Sequence, residues 1–157
     1  MYVMARFKQR SLPQRLALGA VAGAAATFVM QGMMTASGKL IPGSRPPIRK
    51  DPGEFMVEKV PLPEAIRPWA AKSLQLGYGM TSGLLYGALR VRRGSPVLDG
   101  ALLGLGVWAA GYLGWLPATG LMPPITEHEP KQIVVPIVQH AIFGVAVAAA
   151  YDGLMRV

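Results

Sequence analysis

The stretch that decides the fold is LALGAVAGAAATFVMQGMMTA, residues 16–36, which contains no charged side chain. A helix of this length, rising about 1.5 Å per residue, crosses the roughly 30 Å hydrocarbon core of a bilayer. The preceding ARFKQRSLPQR is basic, which is also typical of a signal peptide. The apolar run is longer than the usual region of about 7–15 residues, and no clear A-x-A cleavage site precedes a soluble domain. We therefore predict a signal anchor that remains as the first transmembrane helix.

Three further apolar runs follow. The second, LQLGYGMTSGLLYGAL at 74–89, is short, but the preceding PEAIRPWAAKS can extend it into the interface, with Lys72 reaching towards water. In the fourth run Pro136 lies near the start, where a kink is tolerable. We predict an all-α integral membrane protein with one four-span domain, residues 1–157. Its helices are expected at about 16–36, 66–89, 97–116 and 133–155, with an extracytoplasmic loop at 37–65.

The composition agrees with a membrane protein. Of the residues, 52% are hydrophobic and 15% are charged, whereas about 25% charged residues is usual in soluble domains. Cysteine is absent, which excludes disulfides, thiolate catalysis, cysteine-ligated zinc and iron–sulfur clusters. The net charge of +8 could indicate nucleic-acid binding. Half of the basic residues, however, flank the apolar runs, where they determine topology. We expect the lipid bilayer as a partner and no nucleic acid.

Lysine and arginine favour one orientation in the membrane. Eight of them lie in three short segments, at Arg6, Lys8, Arg10, Arg15, Arg90, Arg92, Arg93 and Arg156. The opposite side also carries eight, but they are spread over longer loops beside six acids. Because short, densely basic segments stay in the cytoplasm, we predict that both termini are cytoplasmic.

Small residues recur at intervals of four within the predicted helices. In lipid, helices gain little from hydrophobic association, so close backbone approach is a main source of attraction. The pattern predicts a tight bundle and argues against a wide pore, but it does not by itself predict a homo-oligomer. The expected packing residues are Gly19, Gly23, Gly79, Gly83, Gly87, Gly100, Gly104 and Gly144.

The two halves of the chain resemble each other. IPGSRPP and ATGLMPP share the pattern G-x-x-P-P, which gives a repeated outer turn of Gly43, Pro46, Pro47, Gly120, Pro123 and Pro124. Helices 2 and 4 share G-x6-Y-x-x-L, from Gly79 and Gly144, and in that register Gln75 corresponds to His140. Two hairpins that enter the membrane in the same direction are related by a pseudo-two-fold axis along its normal. Coincidence among common membrane residues is the alternative.

TGLMPP after a tryptophan-containing helix, followed by QHAIFGVAVAAAYDGL, resembles the uncharacterised bacterial inner-membrane proteins grouped as domain of unknown function 1440 (DUF1440). His140 and Gly144 match that family's H-x-x-x-G pattern, whereas Gln75 departs from it. The resemblance covers most of the chain and is most specific at 96–152. It implies a four-helix fold in the bacterial cytoplasmic (inner) membrane, and it transfers no catalytic residue.

His140 is the most informative polar residue, because it lies about 10 Å below the predicted outer end of helix 4. An ionisable group at that depth should face the bundle interior and have a partner. The repeat indicates Gln75, with Gln139 and Tyr78 next. One interpretation is a neutral histidine that forms a cross-helix hydrogen bond, worth about 0.6 kcal/mol. The other is a proton relay or ligand site, since the pKa of histidine is ordinarily about 6.5.

Glu127, His128 and Glu129 form a second group of titratable residues. Consecutive side chains do not converge as ligands four residues apart would, although on a loop they could bind a divalent cation together with His140. The alternative is a solvated turn before helix 4. We treat them as weak metal candidates and expect no metal and no cofactor.

The sequence contains no Ser-His-Asp order, no paired intramembrane carboxylates and no HExxH motif, so we expect no catalytic residues. The favoured function is a small non-enzymatic membrane protein, a structural or accessory subunit or a lipid-binding component of a membrane assembly. Other membrane subunits or further copies of the chain would be its partners. The alternative is a small transporter or a proton- or ion-conducting protein that uses His140 and Gln75.

Overall fold

A computed structural model describes residues 10–89 and 95–156, and every regular element in these ranges is helical. The elements are α1 Leu12–Leu40, α2 Pro52–Glu58, a 3-10 turn Glu64–Ile66, α3 Arg67–Leu89, α4 Pro96–Ala109, a π-helical segment Ala110–Trp115, α5 Leu116–Ala118, a 3-10 turn Ile125–Glu127 and α6 Pro130–Arg156. The predicted all-α class is confirmed. Part of the orientation argument lies outside the described residues, namely Arg6, Lys8, Arg90, Arg92 and Arg93.

The first helix is longer than its apolar run. Ser11 begins it with a capping box, in which the Ser11 amide donates to Gln14 Oε1 at 3.1 Å. At the other end α1 continues to Leu40, so the loop predicted at 37–65 begins later and contains α2, whose first amides donate to Asp51. Hydropathy marks the part of a helix that lies in lipid, whereas capping groups determine where the helix ends.

Among the described residues, three segments are long and apolar enough to cross a membrane: α1, the continuous segment Pro96–Ala118, and α6. They contain 29, 23 and 27 residues, and a span needs about 20. The helix predicted at 66–89 is present as α3, but it is not among these three. Polar side chains such as Lys72, Gln75 and Ser82 lower its hydropathy. Its crossing of the membrane therefore stays a prediction.

Glycine contacts join the long helices in two pairs. In the first seam, between α1 and α3, Gly19 lies against Gly83 and Gly23 against Gly79. A Cβ on any glycine of either seam would come within 3.0 Å of a carbonyl oxygen on the facing helix. A backbone carbonyl cannot move aside as a side chain can, so both seams require glycine. The first seam consists of Gly19, Gly23, Gly79, Gly83 and Gly87, and the second, between α4 and α6, of Gly100, Gly104 and Gly144.

The two helix pairs are joined mainly through α1 and α6. Ala22 and Ala26 of α1 and Val147 of α6 are at most 1% exposed, because small side chains let these helices approach closely. Beside them the rings of Tyr86 and Tyr151 meet edge to face, with centroids 5.4 Å apart. By contrast, α3 and α4 make far fewer contacts with each other. The bundle is therefore closed on one side and open on the other.

The two predicted outer turns adopt the same backbone conformation. Gly43 has φ 75° and Gly120 has φ 72°, and they are the residues with positive φ in the described ranges. Glycine reaches this left-handed region without the steric cost that a Cβ brings. The turns also meet, because the Arg49 amide donates to the Leu121 carbonyl at 2.9 Å. In each copy the first proline is half-buried and the second is exposed, at Pro46, Pro47, Pro123 and Pro124.

Candidate functional site

His140 lies deeper than its apolar run indicated. It is the eleventh residue of α6, which begins at Pro130 rather than at 133, so it lies about 15 Å from the start of the helix. Its Nδ1 lies 2.8 Å from the Pro136 carbonyl oxygen. A carbonyl can only accept, so Nδ1 carries the proton of the neutral ring and Nε2 is left as the acceptor. The partner found for His140 is therefore within its own helix.

An aromatic cluster packs against this histidine. The Tyr112 ring meets the His140 ring edge to face at a centroid distance of 5.8 Å, and Trp108 stacks on Tyr112 at 5.7 Å. Trp108 and Tyr112 are four residues apart, so they share one face of their helix. We refer to Trp108, Tyr112 and His140 as the aromatic–histidine cluster.

Tyr112 lies in the π-helical segment Ala110–Trp115, within which Gly114 departs from helical angles with φ −109° and ψ −106°. A π segment inside an α-helix re-aims the side chains that follow it and is frequent at functional sites. The predicted helix at 97–116 gave no warning of this irregularity. The spacing of Trp108 and Tyr112 was the one available signal that these side chains point together.

The four residues of the predicted polar site do not form one cluster. Gln75 is exposed on α3, and none of the hydrogen bonds among the described residues connects it to His140. Tyr78 is 47% exposed, and its hydroxyl interacts with the Trp115 side chain. The repeat register gives the height of a residue in the bundle but not the direction in which its side chain points. Equivalent residues meet only close to the axis that relates the two halves.

Gln139 connects two helices. It is 9% exposed, and its Nε2 donates to Ser37 Oγ at 2.7 Å and, more weakly, to the Met33 carbonyl at 3.4 Å. Ser44, which is 2% exposed, donates from its hydroxyl to the Ser37 carbonyl at 3.3 Å. A buried amide inside a bundle needs such partners. This bond links α6 to the last turn of α1, so Gln139 adds a polar contact between the two helix pairs.

The outer turn brings His128 inside and leaves its acidic neighbours outside. His128 is 8% exposed, and its Nε2 donates to the Pro123 carbonyl at 3.1 Å. Glu127 and Glu129 are exposed, and Glu129 forms an ion pair with Lys131 at 3.2 Å. Within 10–89 and 95–156, no three histidine, cysteine or acidic side chains approach closely enough to hold a metal ion. The weak metal candidates are therefore not assembled into a site.

The geometry thus defines a helical protein with three candidate membrane spans, two glycine seams and an aromatic–histidine cluster beside the second seam. Comparison of the chain with family models, with curated proteins and with solved structures finds no match. The resemblance to the bacterial family of unknown function stays a hypothesis carried by the quoted motifs. Function has to be argued from the packing and chemistry of the chain itself.

Proposed function

We propose that this chain is a non-enzymatic, multi-pass membrane protein that serves as a structural or accessory subunit of a larger membrane assembly. The proposal rests on one observation: the helices pack in pairs through glycine contacts, but most of their apolar surface stays exposed. Only 22–33% of the residues in the apolar windows of the three candidate spans are buried within the chain. Phe28 is 71% exposed, Leu102 59% and Val134 56%. Such faces need lipid or other subunits as neighbours.

The proposal includes α3 as a fourth span. Its 23 residues would extend over roughly 34 Å, and it lies antiparallel to α1 along the first seam. A helix packed along a membrane-spanning partner shares that partner's depth. At its start Trp69 is 70% exposed, with Lys72 Nζ 5.4 Å from the ring centroid. Exposed tryptophan beside a basic residue is typical of a membrane interface.

The two hairpins are proposed to be copies of one repeat. The seam and turn glycines keep one spacing, since Gly23 precedes Gly43, and Gly100 precedes Gly120, by 20 residues. The seam contact between Gly23 and Gly79 is repeated in the second hairpin, where Gly100 contacts Gly144. Tyr86 and Tyr151, equivalent in the predicted register, touch each other, as residues close to a pseudo-two-fold axis would. The axis is imperfect, because α1 packs on α6 much more extensively than α3 packs on α4.

We further propose a bacterial cytoplasmic membrane as the location, with both termini in the cytoplasm. The absence of cysteine makes the test direct, because a single introduced cysteine is the only reactive thiol. Lys59→Cys lies in the proposed outer loop, and Arg156→Cys lies at the end of α6. In spheroplasts a membrane-impermeant maleimide should label the first without permeabilisation and the second only after it. The reverse labelling pattern would mean that the orientation in the membrane is the opposite one. Equal labelling of both cysteines without permeabilisation would contradict the proposed topology.

The accessory role is tested by the mass of the protein extracted in mild detergent. Native mass measurement should find the chain with a second polypeptide or with further copies of itself. A strictly monomeric chain, extracted under conditions that preserve known membrane complexes from the same cells, would contradict the role.

Transport or proton conduction is the second candidate, and one observation favours it. The π segment lies directly beside His140, and segments of this kind are frequent at functional sites. The side chain from a neighbouring helix that contacts the His140 ring is Tyr112 rather than Gln75. In proteoliposomes, His140→Ala and Tyr112→Phe should both reduce a proton flux that Gln75→Ala leaves intact. The candidate is abandoned if wild-type protein conducts no more than empty liposomes, or if His140→Ala changes nothing.

A further inference from the structure

A groove lies between α3 and α4, on the side where the two helix pairs separate, with a volume of about 590 Å³. One wall is a face of α3 from Tyr78 to Leu89, and the other is a face of α4 from Asp99 onwards. The lining residues recur every three or four positions, as residues on one helix face do. Volumes between about 300 and 1,000 Å³ are usual for sites that hold small molecules.

Large side chains stand on both walls of the groove, beside smaller ones such as Thr81 and Gly106. Leu85 of α3 and Leu102 of α4 both line it, whereas the closed contact between α1 and α6 is made over Ala22 and Ala26. Helices in lipid approach closely only where small residues face each other. The leucines on both walls therefore oppose a close helix contact, whereas a flexible hydrocarbon chain could follow the uneven surface that they form with the smaller lining residues.

The length of the groove matches one leaflet of a bilayer. Leu89 is the last residue of α3, and Tyr78 lies at the middle of that helix, so the wall between them extends over roughly 17 Å. One leaflet contributes about 15 Å, half of a hydrocarbon core of roughly 30 Å. The groove would thus extend from the membrane surface to the bilayer centre.

A charged side chain marks one end of the groove. Asp99, which is the charged residue among the described lining residues, lies at the end where α3 stops and α4 begins. The Leu85, Leu89 and Leu102 side chains are 48%, 66% and 59% exposed, and they make the groove continuous with the outward apolar faces of the bundle. A molecule that enters from lipid would keep its polar end at the surface and its apolar part between the walls.

We propose that this groove binds one acyl chain of a membrane phospholipid from the leaflet at the end of the bundle where α3 ends and α4 begins. The inference rests on the proposal that α3 and α4 span the membrane. It adds a defined site and ligand class to that arrangement. The lipid would cover the face that the imperfect symmetry of the two hairpins leaves open.

Gly106 makes the test selective. It lines the groove, and no atom of the described residues lies within 4 Å of a Cβ built on it. Gly106→Leu would fill the groove without disturbing a helix contact, and Thr81→Leu would do so from the opposite wall. Gly32→Leu is the matched control, since Gly32 also has open space around it but lies on α1.

The proteins are reconstituted into vesicles of phosphatidylethanolamine and phosphatidylglycerol, extracted in mild detergent, and examined by native mass spectrometry. Wild type and Gly32→Leu should retain one phospholipid per chain. Gly106→Leu and Thr81→Leu should retain about tenfold less, which corresponds to roughly 1.4 kcal/mol of binding free energy. Equal melting temperatures would establish that all four proteins fold.

Different results would contradict the membrane-spanning arrangement and the lipid site. A protein that stays outside the vesicle membrane contradicts the membrane-spanning arrangement itself. If the protein is integrated, equal lipid retention by Gly106→Leu and Gly32→Leu would overturn the groove assignment, as would retention of no lipid by the wild type. If a second polypeptide replaced the phospholipid on the wild type but did not bind to Gly106→Leu, the groove would be a binding site for a protein instead.

Discussion

The two glycine seams begin alike and diverge towards the outer side. In the first, glycine meets glycine at Gly19 and Gly83 and again one turn away, and both helices are regular throughout. In the second, Gly100 meets Gly144, but Gly104 then meets the backbone of His140. Beyond that contact α4 changes to a π segment. The first seam thus joins two regular helices, whereas the second ends beside His140 and the π segment.

This difference separates structural from functional constraints in a protein built from similar halves. Close packing in lipid is achieved by glycine contacts and requires no polar group. A proline, a half-buried histidine and a π segment lie within one helix pair, since Pro136, His140 and Tyr112 are all found in the second pair. Local departures from regularity are expected at sites that have a role other than packing. The second hairpin is therefore the part of the molecule to test for activity.

The largest expected effect is the loss of the first seam. In Gly83→Leu, the new side chain would meet the Gly19 carbonyl, and overpacking of this kind costs about 1–3 kcal/mol or more. We expect the upper end of that range, because both facing surfaces are backbone. Gly104→Leu should cost less, since the π segment lets α4 adjust. The free energy of unfolding, measured by titration of mixed micelles with dodecyl sulfate, compares the two variants.

A control on the same helix removes the effect of side-chain size. A Cβ added at Gly77 would have no atom of the described chain within 4 Å, so Gly77→Leu should be neutral or slightly stabilising, given the poor helix propensity of glycine. If Gly77→Leu destabilised the protein as much as Gly83→Leu does, the glycine contact would not explain the loss. If Gly104→Leu were the worse variant, the second seam would be the more rigid one.

A smaller effect is expected at the two outer turns. Gly43→Ala and Gly120→Ala each force a Cβ into the left-handed region, at a cost of roughly 1–2 kcal/mol. Near Gly43 the new atom would also meet the end of the Lys131 side chain, which can move aside, and Gly120 has open space. The repeat therefore predicts similar losses in the free energy of unfolding. A neutral result at either turn would show that the positive φ is not required there.

The sequence determined much of the fold because lipid restricts the alternatives. Uncharged runs of about 20 residues leave few options besides a helix, and small residues four apart favour close contacts between such helices. The boundaries were predicted less well, since Ser11 and Asp51 terminate helices outside the apolar runs. The π segment and the open face between α3 and α4 were not predicted, because both depend on how whole helices fit together. The same dependence on helix packing explains why Gln75 and His140 lie apart although the sequence assigned them to one site.

The smallest effect concerns the two glutamines that the sequence assigned to one site. Gln139→Leu removes the hydrogen bond to Ser37 and should lower the free energy of unfolding by about 0.6 kcal/mol, the average for such bonds between membrane helices. Gln75→Leu should be neutral, because Gln75 is exposed and a lipid-facing leucine is favourable. Ser37→Ala provides a third measurement, and the double variant Gln139→Leu with Ser37→Ala should lose little more than either alone. Strictly additive losses would mean that the two side chains do not act as a pair. A loss at Gln75 equal to that at Gln139 would mean that the first hairpin also has a polar contact in its interior, and the contrast between the two hairpins would then be one of degree.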